Sequence, residues 1–202
     1  MFYRFARSLF RFLFVVFCRW EVEGLENFPT EGPLIVVANH VSYWDPIALG
    51  CALPRQVYFM AKKELFSYPI FGRILKWLGA FPVSRGKPDR SALRRAFGIL
   101  KEGKVVGIFP EGTRSKTGRL LPPYEGAVYL ALRANAPICP VGLIGTDRVF
   151  YKGVFRKFKV RIGNPIFLQQ VDREDLQSAA ELVMERIKEL TETPRVFKKK
   201  EY

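Results

Sequence analysis

Apolar and polar residues follow two different periods along this chain, and the period changes many times. Phe2, Phe5, Leu9, Phe12, Leu13, Val16 and Phe17 surround a narrow stripe of Arg4, Arg7 and Arg11 at i, i+3 and i+7. That spacing predicts an N-terminal helix with a broad apolar face. Leu34 to Ala38 is a continuous apolar, β-branched run bounded by Gly32-Pro33 and Asn39, which reads as a buried central strand. Val105 to Phe109 has the same character, and Ile138 to Ile144 is extended. Lys157 to Ile162 alternates basic and apolar residues, as a half-exposed strand does. Trp20 to Glu23, Val57 to Met60 and Ala80 to Val83 read as shorter strands, the last despite Pro82. Helices are expected over Pro46–Cys51, over Pro69–Leu78 with Ile70, Ile74, Leu75 and Leu78 on one side, over Asp89–Lys101 and over Glu125–Ala134. A last helix, capped by Asp172 and running to about Glu189, turns Leu176, Ala180, Val183 and Ile187 inward. Alternating strands and helices predict one α/β domain, a mostly parallel or mixed central sheet flanked by helices. The expected boundaries are 1–19 for the N-terminal helix, 20–193 for the sheet domain and 194–202 for a basic tail with Lys198, Lys199 and Lys200.

A bilayer-spanning helix needs about 20 mostly apolar residues. The longest candidate, Phe12 to Cys18, lies between Arg11 and Arg19 and falls far short. Arginines also interrupt the apolar region that a secretory signal would need. A short helix with arginines beside a large aromatic face fits a membrane interface, so residues 1–19 are expected to lie in that plane, with the arginine stripe among headgroups. Composition points the same way. The 202 residues carry 33 Lys plus Arg against 19 Asp plus Glu, a net charge of +14, which favours anionic partners. Cys18, Cys51 and Cys139 are an odd number with no CxxC pair, which excludes a disulfide scaffold and a cysteine zinc site. The single histidine, His40, excludes any site that needs two imidazoles.

That histidine sits in the loop Asn39-His40-Val41-Ser42-Tyr43-Trp44-Asp45, directly after the first buried strand. Loops at strand ends of a rigid α/β scaffold are where sites concentrate. Asp45 precedes Pro46 and can act as an N-cap; alternatively Ser42 is the cap and Asp45 its third position. Either way the segment curls back, so that the Asp45 carboxylate reaches the imidazole and raises the basicity of its far nitrogen. Two further segments end in arginine-bearing turns: Gly79 to Arg85, and Phe109-Pro110-Glu111-Gly112-Thr113-Arg114-Ser115. Two arginines at strand ends can clamp a phosphate. Gly112 to Gly118 is followed by Arg119 where a Walker loop requires a lysine, and neither GxGxxG nor GxSxG occurs. Nucleotide-dependent kinases, dehydrogenases and serine hydrolases therefore lose their main support.

Together these segments resemble the four blocks of the glycerophospholipid acyltransferase family, in order: Asn39-His40-x-Ser42-x-x-Asp45, Gly79 to Arg85, Phe109 to Ser115, and Ala136 to Val141. The resemblance covers residues 39 to 141. Ser84 departs from it, standing where many bacterial members carry an aspartate. The resemblance implies that His40 is the general base oriented by Asp45. It also implies that Arg85, Glu111, Gly112, Thr113 and Arg114 hold the glycerol-phosphate end of the acceptor, with Glu111 on an arginine or a glycerol hydroxyl. It implies an acyl-CoA or acyl-carrier-protein donor, no metal or other cofactor, and a 1-acylglycerol 3-phosphate acceptor giving phosphatidic acid. Glycerol 3-phosphate or another lysophospholipid is the alternative acceptor. The expected location is the cytoplasmic face of an anionic membrane, bound without spanning it. A basic nucleic-acid module, suggested by the aromatic and basic residues from Arg148 to Arg161, leaves the histidine block unexplained.

Overall fold

A computed structural model describes residues 1–84, 86, 89–168 and 175–192. Its core is a seven-stranded sheet in the order β1-β9-β6-β2-β5-β3-β4. The central strand is β2 (Leu34–Ala38), in which every residue is buried. β2 pairs in parallel with β5 (Val105–Ile108) on one side and with β6 (Ile138–Ile144) on the other. Beyond β5 lie β3 (Val57–Lys62) and β4 (Phe81–Val83), also parallel. β9 (Lys159–Ile162) runs antiparallel to β6, and β1 (Glu21–Glu23) closes that edge parallel to β9. Mostly parallel pairing with helices on both faces is the expected α/β class. Pro82 is tolerated because β4 is an edge strand, where a missing N–H breaks no ladder.

Alternate residues of β2 feed two cores. Leu34, Val36 and Ala38 pack beneath α2 (Asp45–Ala52), with Phe14 and Cys18 from the N-terminal segment. Ile35 and Val37 pack under α4 (Arg90–Lys101), α5 (Gly126–Ala134) and α6 (Leu176–Glu192). The fourth motif block lies inside this scaffold: Cys139 and Pro140 of β6 stand opposite Val36 and Val37. α6 carries Ala180, Val183 and Ile187 inward as expected, and the Asp175 carboxylate accepts from the Ser178 amide at its start. Asp172, given that capping role by the sequence, and the Lys198–Lys200 tail lie outside the described residues.

α1 (Phe2–Leu13) continues through a wider helical turn, Phe14–Cys18, and packs on α2. Part of its arginine stripe is tied to the protein's own backbone, while Arg4 and Arg11 remain exposed. Tyr3 Oη donates to the Gly50 carbonyl (3.2 Å), Arg7 Nη1 to that of Pro54 (3.3 Å) and Arg11 Nη1 to that of Cys51 (3.3 Å). Carbonyls at the end of α2 lack helical partners and sit at the negative end of its dipole, so they draw the guanidinium groups inward. In α3 (Pro69–Trp77) and its C-cap, Ile74, Leu75 and Leu78 are half-buried as expected, but Ile70 is 79% exposed and Gly72 is the helix's one buried residue. A hairpin that periodicity did not reveal joins β7 (Phe150–Tyr151) to β8 (Val154–Phe155). Its two turn residues, Lys152 and Gly153, both have positive φ, which matches the twist of the flanking strands.

Candidate active site

β2, β4 and β5 are parallel, so the three segments that follow them leave the sheet at the same, carboxyl, edge. Open α/β sheets place ligands there. Asn39 extends the β2–β6 ladder through its side chain: its Nδ2 donates to the Leu143 carbonyl (2.9 Å) and its Oδ1 accepts the Leu143 amide (2.7 Å). The next residue, His40, therefore starts from a fixed point.

The chain then turns back on itself. Asp45 Oδ2 lies 2.7 Å from His40 Nδ1 and also accepts the Val41 and Ser42 amides, each at 2.7 Å. Of the two capping schemes read from the sequence, the one with Ser42 as cap holds in its side-chain bonds. The Asp45 carboxylate reaches back to the Ser42 amide, although the helix itself starts later. Trp44 is the N-cap, Asp45 is the first helical residue, and Ser42 Oγ accepts the Trp44 amide (3.2 Å). The carboxylate at the helix start is turned toward the loop. Asp45 is fully buried and His40 is 8% exposed. With Oδ2 already accepting two peptide N–H groups, the network assigns the donor role to Nδ1 and leaves the Nε2 lone pair available. Among the described residues nothing hydrogen-bonds Nε2.

The segment after β5 holds the rest of His40. Phe109 stacks on the imidazole, with centroids 4.0 Å apart and planes 17° apart, and Phe59 lies parallel behind it at 5.9 Å. Glu111 Oε1 accepts the His40 amide (2.7 Å), Glu111 Oε2 accepts the Leu121 amide (3.0 Å), and the Ser115 amide donates to the His40 carbonyl (2.8 Å). Glu111 thus meets two backbone amides and, among the described residues, no arginine. Its burial pushes its carboxyl above the ordinary range, with the two amides opposing the shift. Gly112 donates to the Phe109 carbonyl (3.1 Å) at φ +65°, and a Cβ there would lie 2.6 Å from the Tyr124 ring, so only glycine fits. Thr113 is exposed, and the Arg114 guanidinium lies 3.5 Å from the Tyr43 ring centroid. Arg85 lies outside the described residues; Ser84, just before it, donates its amide to Asp89 (2.8 Å). Among the described residues no three His, Cys, Asp or Glu side chains gather as metal ligands would.

Reasoning from sequence gave Asn39 and Phe109 no role beyond their letters in the motif blocks, and Ser115 only that of a donor. What they do was invisible because it runs across strands: Asn39 pairs through its side chain with Leu143, Phe109 stacks on the imidazole, and the Ser115 amide donates to the His40 carbonyl.

A buried histidine–carboxylate pair at the carboxyl edge of a parallel sheet, flanked by an arginine turn, is accompanied by homology over most of the chain. A model of the acyltransferase family matches residues 19–144. The chain belongs to the acyltransferase family and is an O-acyltransferase. It is 38% identical over 178 residues to a 1-acyl-sn-glycerol-3-phosphate acyltransferase of Bacillus subtilis, covering 84% of this chain and 87% of that one. A protein of the same description from Streptococcus pneumoniae is 31% identical over 206 residues, covering 95% of this chain and 74% of its own length. The crystal structure of the 1-acyl-sn-glycerophosphate acyltransferase PlsC from Thermotoga maritima superposes with a TM-score of 0.74 at 30% identity, covering 96% of this chain and 80% of that one.

Proposed function

We propose that this protein transfers an acyl group from a thioester to the free sn-2 hydroxyl of 1-acylglycerol 3-phosphate, giving phosphatidic acid. The observation that carries the reading is the 2.7 Å contact of His40 Nδ1 with Asp45, which leaves Nε2 as a base. Relatives described as acylating this acceptor support the substrate class. His40 Nε2 takes the proton of the acceptor hydroxyl, and the oxygen attacks the thioester carbonyl. As the tetrahedral intermediate collapses, the C–S bond breaks and the imidazolium returns its proton to the departing sulfur. Asp45 stabilises the imidazolium while it exists. General-base assistance supplies about 10²–10⁴-fold, so positioning and charge stabilisation supply the remainder. Arg114, with Arg85, serves as the phosphate clamp, and the donor is acyl-CoA or acyl-carrier protein.

The lipid acceptor places the enzyme on a membrane surface, and we assign the contact to the outward side of α1. Phe5 is 66% and Phe12 62% exposed. Phe2 meets Trp77 of α3 (5.2 Å), and Phe17 meets Phe155 of the β7–β8 hairpin (5.4 Å), so the apolar surface runs across three elements. Among the described residues no helix is long and apolar enough to cross a membrane. A net charge of +14 adds attraction to anionic lipid, and we assign the contact to the cytoplasmic face, the side on which an acyl-CoA or acyl-carrier-protein donor is met.

The decisive experiment is acyl transfer by the purified protein, over 1-acylglycerol 3-phosphate, glycerol 3-phosphate and uncharged or zwitterionic lysolipids, with each donor in turn. A preference for 1-acylglycerol 3-phosphate that disappears in a folded His40→Ala variant is the expected result. Preference for another acceptor overturns the substrate reading, and full turnover in His40→Ala overturns the mechanism.

A further inference from the structure

Tyr43 lies three residues after His40 in the loop that carries the base, and it is 71% exposed, so its ring contributes little to the core. Nevertheless the Arg114 guanidinium lies over that ring, 3.5 Å from its centroid. Among the described residues Arg114 has no ion pair and no hydrogen bond. A guanidinium stacked on a ring spends its face and keeps its edge, where the N–H donors point, free for an oxyanion. A carboxylate in the same place would orient the arginine equally well but would occupy those donors and compete with a phosphate. The platform is itself anchored, because Asp45 holds the Val41 and Ser42 amides on its N-terminal side. One short loop therefore carries both the base and the surface on which the arginine rests.

We propose that Tyr43 is a positioning residue that pre-orients Arg114 for the phosphate of the acceptor. The proposal rests on the reading of Arg114 as a phosphate clamp. In the free enzyme a long, flexible side chain loses rotamer freedom when it closes on a ligand, and stacking on Tyr43 removes part of that loss beforehand. The loop also ties the distance between hydroxyl and phosphate to one local structure, because base and platform move together.

The test uses the full chain with a short-chain 1-acylglycerol 3-phosphate below its micelle concentration, so that membrane contact plays no part. Tyr43→Ala and Tyr43→Leu are expected to raise the acceptor KM about two- to fivefold, the range of an exposed cation–π contact. Donor KM, kcat and melting temperature stay close to those of the native protein, and Tyr43→Phe, which keeps the ring, restores the acceptor KM. In an Arg114→Ala background, Tyr43→Ala adds nothing further. An unchanged acceptor KM in Tyr43→Ala, while Arg114→Ala raises it, overturns the role of Tyr43 and spares the clamp. Leu performing as well as Phe shows packing rather than stacking and also overturns it. A raised donor KM places the ring against the donor instead. If Arg114→Ala leaves the acceptor KM unchanged, the clamp reading fails, and the role of Tyr43 fails with it.

Discussion

A base that must accept a proton at one nitrogen has to be held everywhere else, and His40 is held at its ring face, its Nδ1, its amide and its carbonyl. In Asp45→Asn the amide oxygen has to stay where Oδ2 accepts the Val41 and Ser42 amides, so the loop is kept but the imidazolium formed during transfer loses its counter-charge. Turnover should fall by at least about 10²-fold, with acceptor and donor KM little changed. Glu111→Gln replaces one carboxylate oxygen with an amide donor aimed at a backbone N–H that needs an acceptor. A fall in kcat of about tenfold, with both KM values near native, is expected for a brace on His40; a rise in acceptor KM alone would instead mark Glu111 as an acceptor ligand. Glu111 also has a pH signature. Its folded value is raised above the ordinary value of about 4.5, so its ionisation costs stability as pH rises through the folded value. The native protein should therefore gain stability relative to Glu111→Gln as pH falls through that window toward about 4.5, and parallel melting curves across it would refute the assignment. The buried thiols of Cys51 and Cys139 are pushed up to about 12, so neither should react with an alkylating agent at neutral pH until the protein unfolds.

At the scale of elements, Asp89 is the joint between β4 and α4. Its carboxylate accepts the Ser91 and Ala92 amides (3.0 Å each), the Ser91 hydroxyl and, from before the loop, the Ser84 amide. These bonds hold its carboxyl well below the usual carboxylate range, the Ser91 hydroxyl contributing most. Asp89→Ala should cost about 1 kcal/mol, lowering the melting temperature by about 2–4 °C. A depressed folded value gives stability that is complete above the unfolded value of about 3.8 and is lost as pH falls below it. The gap between native and Asp89→Ala melting should accordingly be constant near neutrality and shrink in acid. Helix α4 was legible because Leu93, Ala96, Phe97 and Leu100 recur at the helical period, although Asp89, read as its first residue, is its cap. The β7–β8 hairpin was not, because two-residue strands are too short to count a period. Its Lys152-Gly153 turn was the one available clue.

Across the whole molecule, the outward side of α1, Trp77 and the hairpin form one apolar surface on a cationic protein. Each basic residue near an anionic bilayer adds about 1 kcal/mol that salt screens, whereas the apolar contribution is unaffected. Binding to anionic vesicles should persist in part at high salt and be largely lost in a Phe5→Ser, Phe12→Ser double variant whose melting temperature is unchanged. Undiminished co-sedimentation of that variant would move the membrane face elsewhere. Removing residues 1–18 is a poor substitute for this test. Phe14 and Cys18 are buried, and Phe14 packs edge-on against Phe158 at 4.9 Å, so truncation would open the core.

Local chemistry wrote much of this protein into its sequence. Leu34 to Ala38 announces a central strand because only a strand buried on both faces is apolar without interruption. His40 and Asp45 meet because five residues of tight loop leave the carboxylate within reach of the ring. Tertiary structure alone decided what lies between distant segments. Arg7 and Arg11 have the spacing of a headgroup stripe, yet they turn to the carbonyls at the end of α2, since unpaired carbonyls were nearby and periodicity cannot register a neighbour. Glu111 belongs to a motif that suggests a ligand contact, yet it clasps two backbone amides. Backbone donors leave no trace in residue identity, and only the parallel pairing of β2 with β5 brings the His40 amide within reach of that carboxylate.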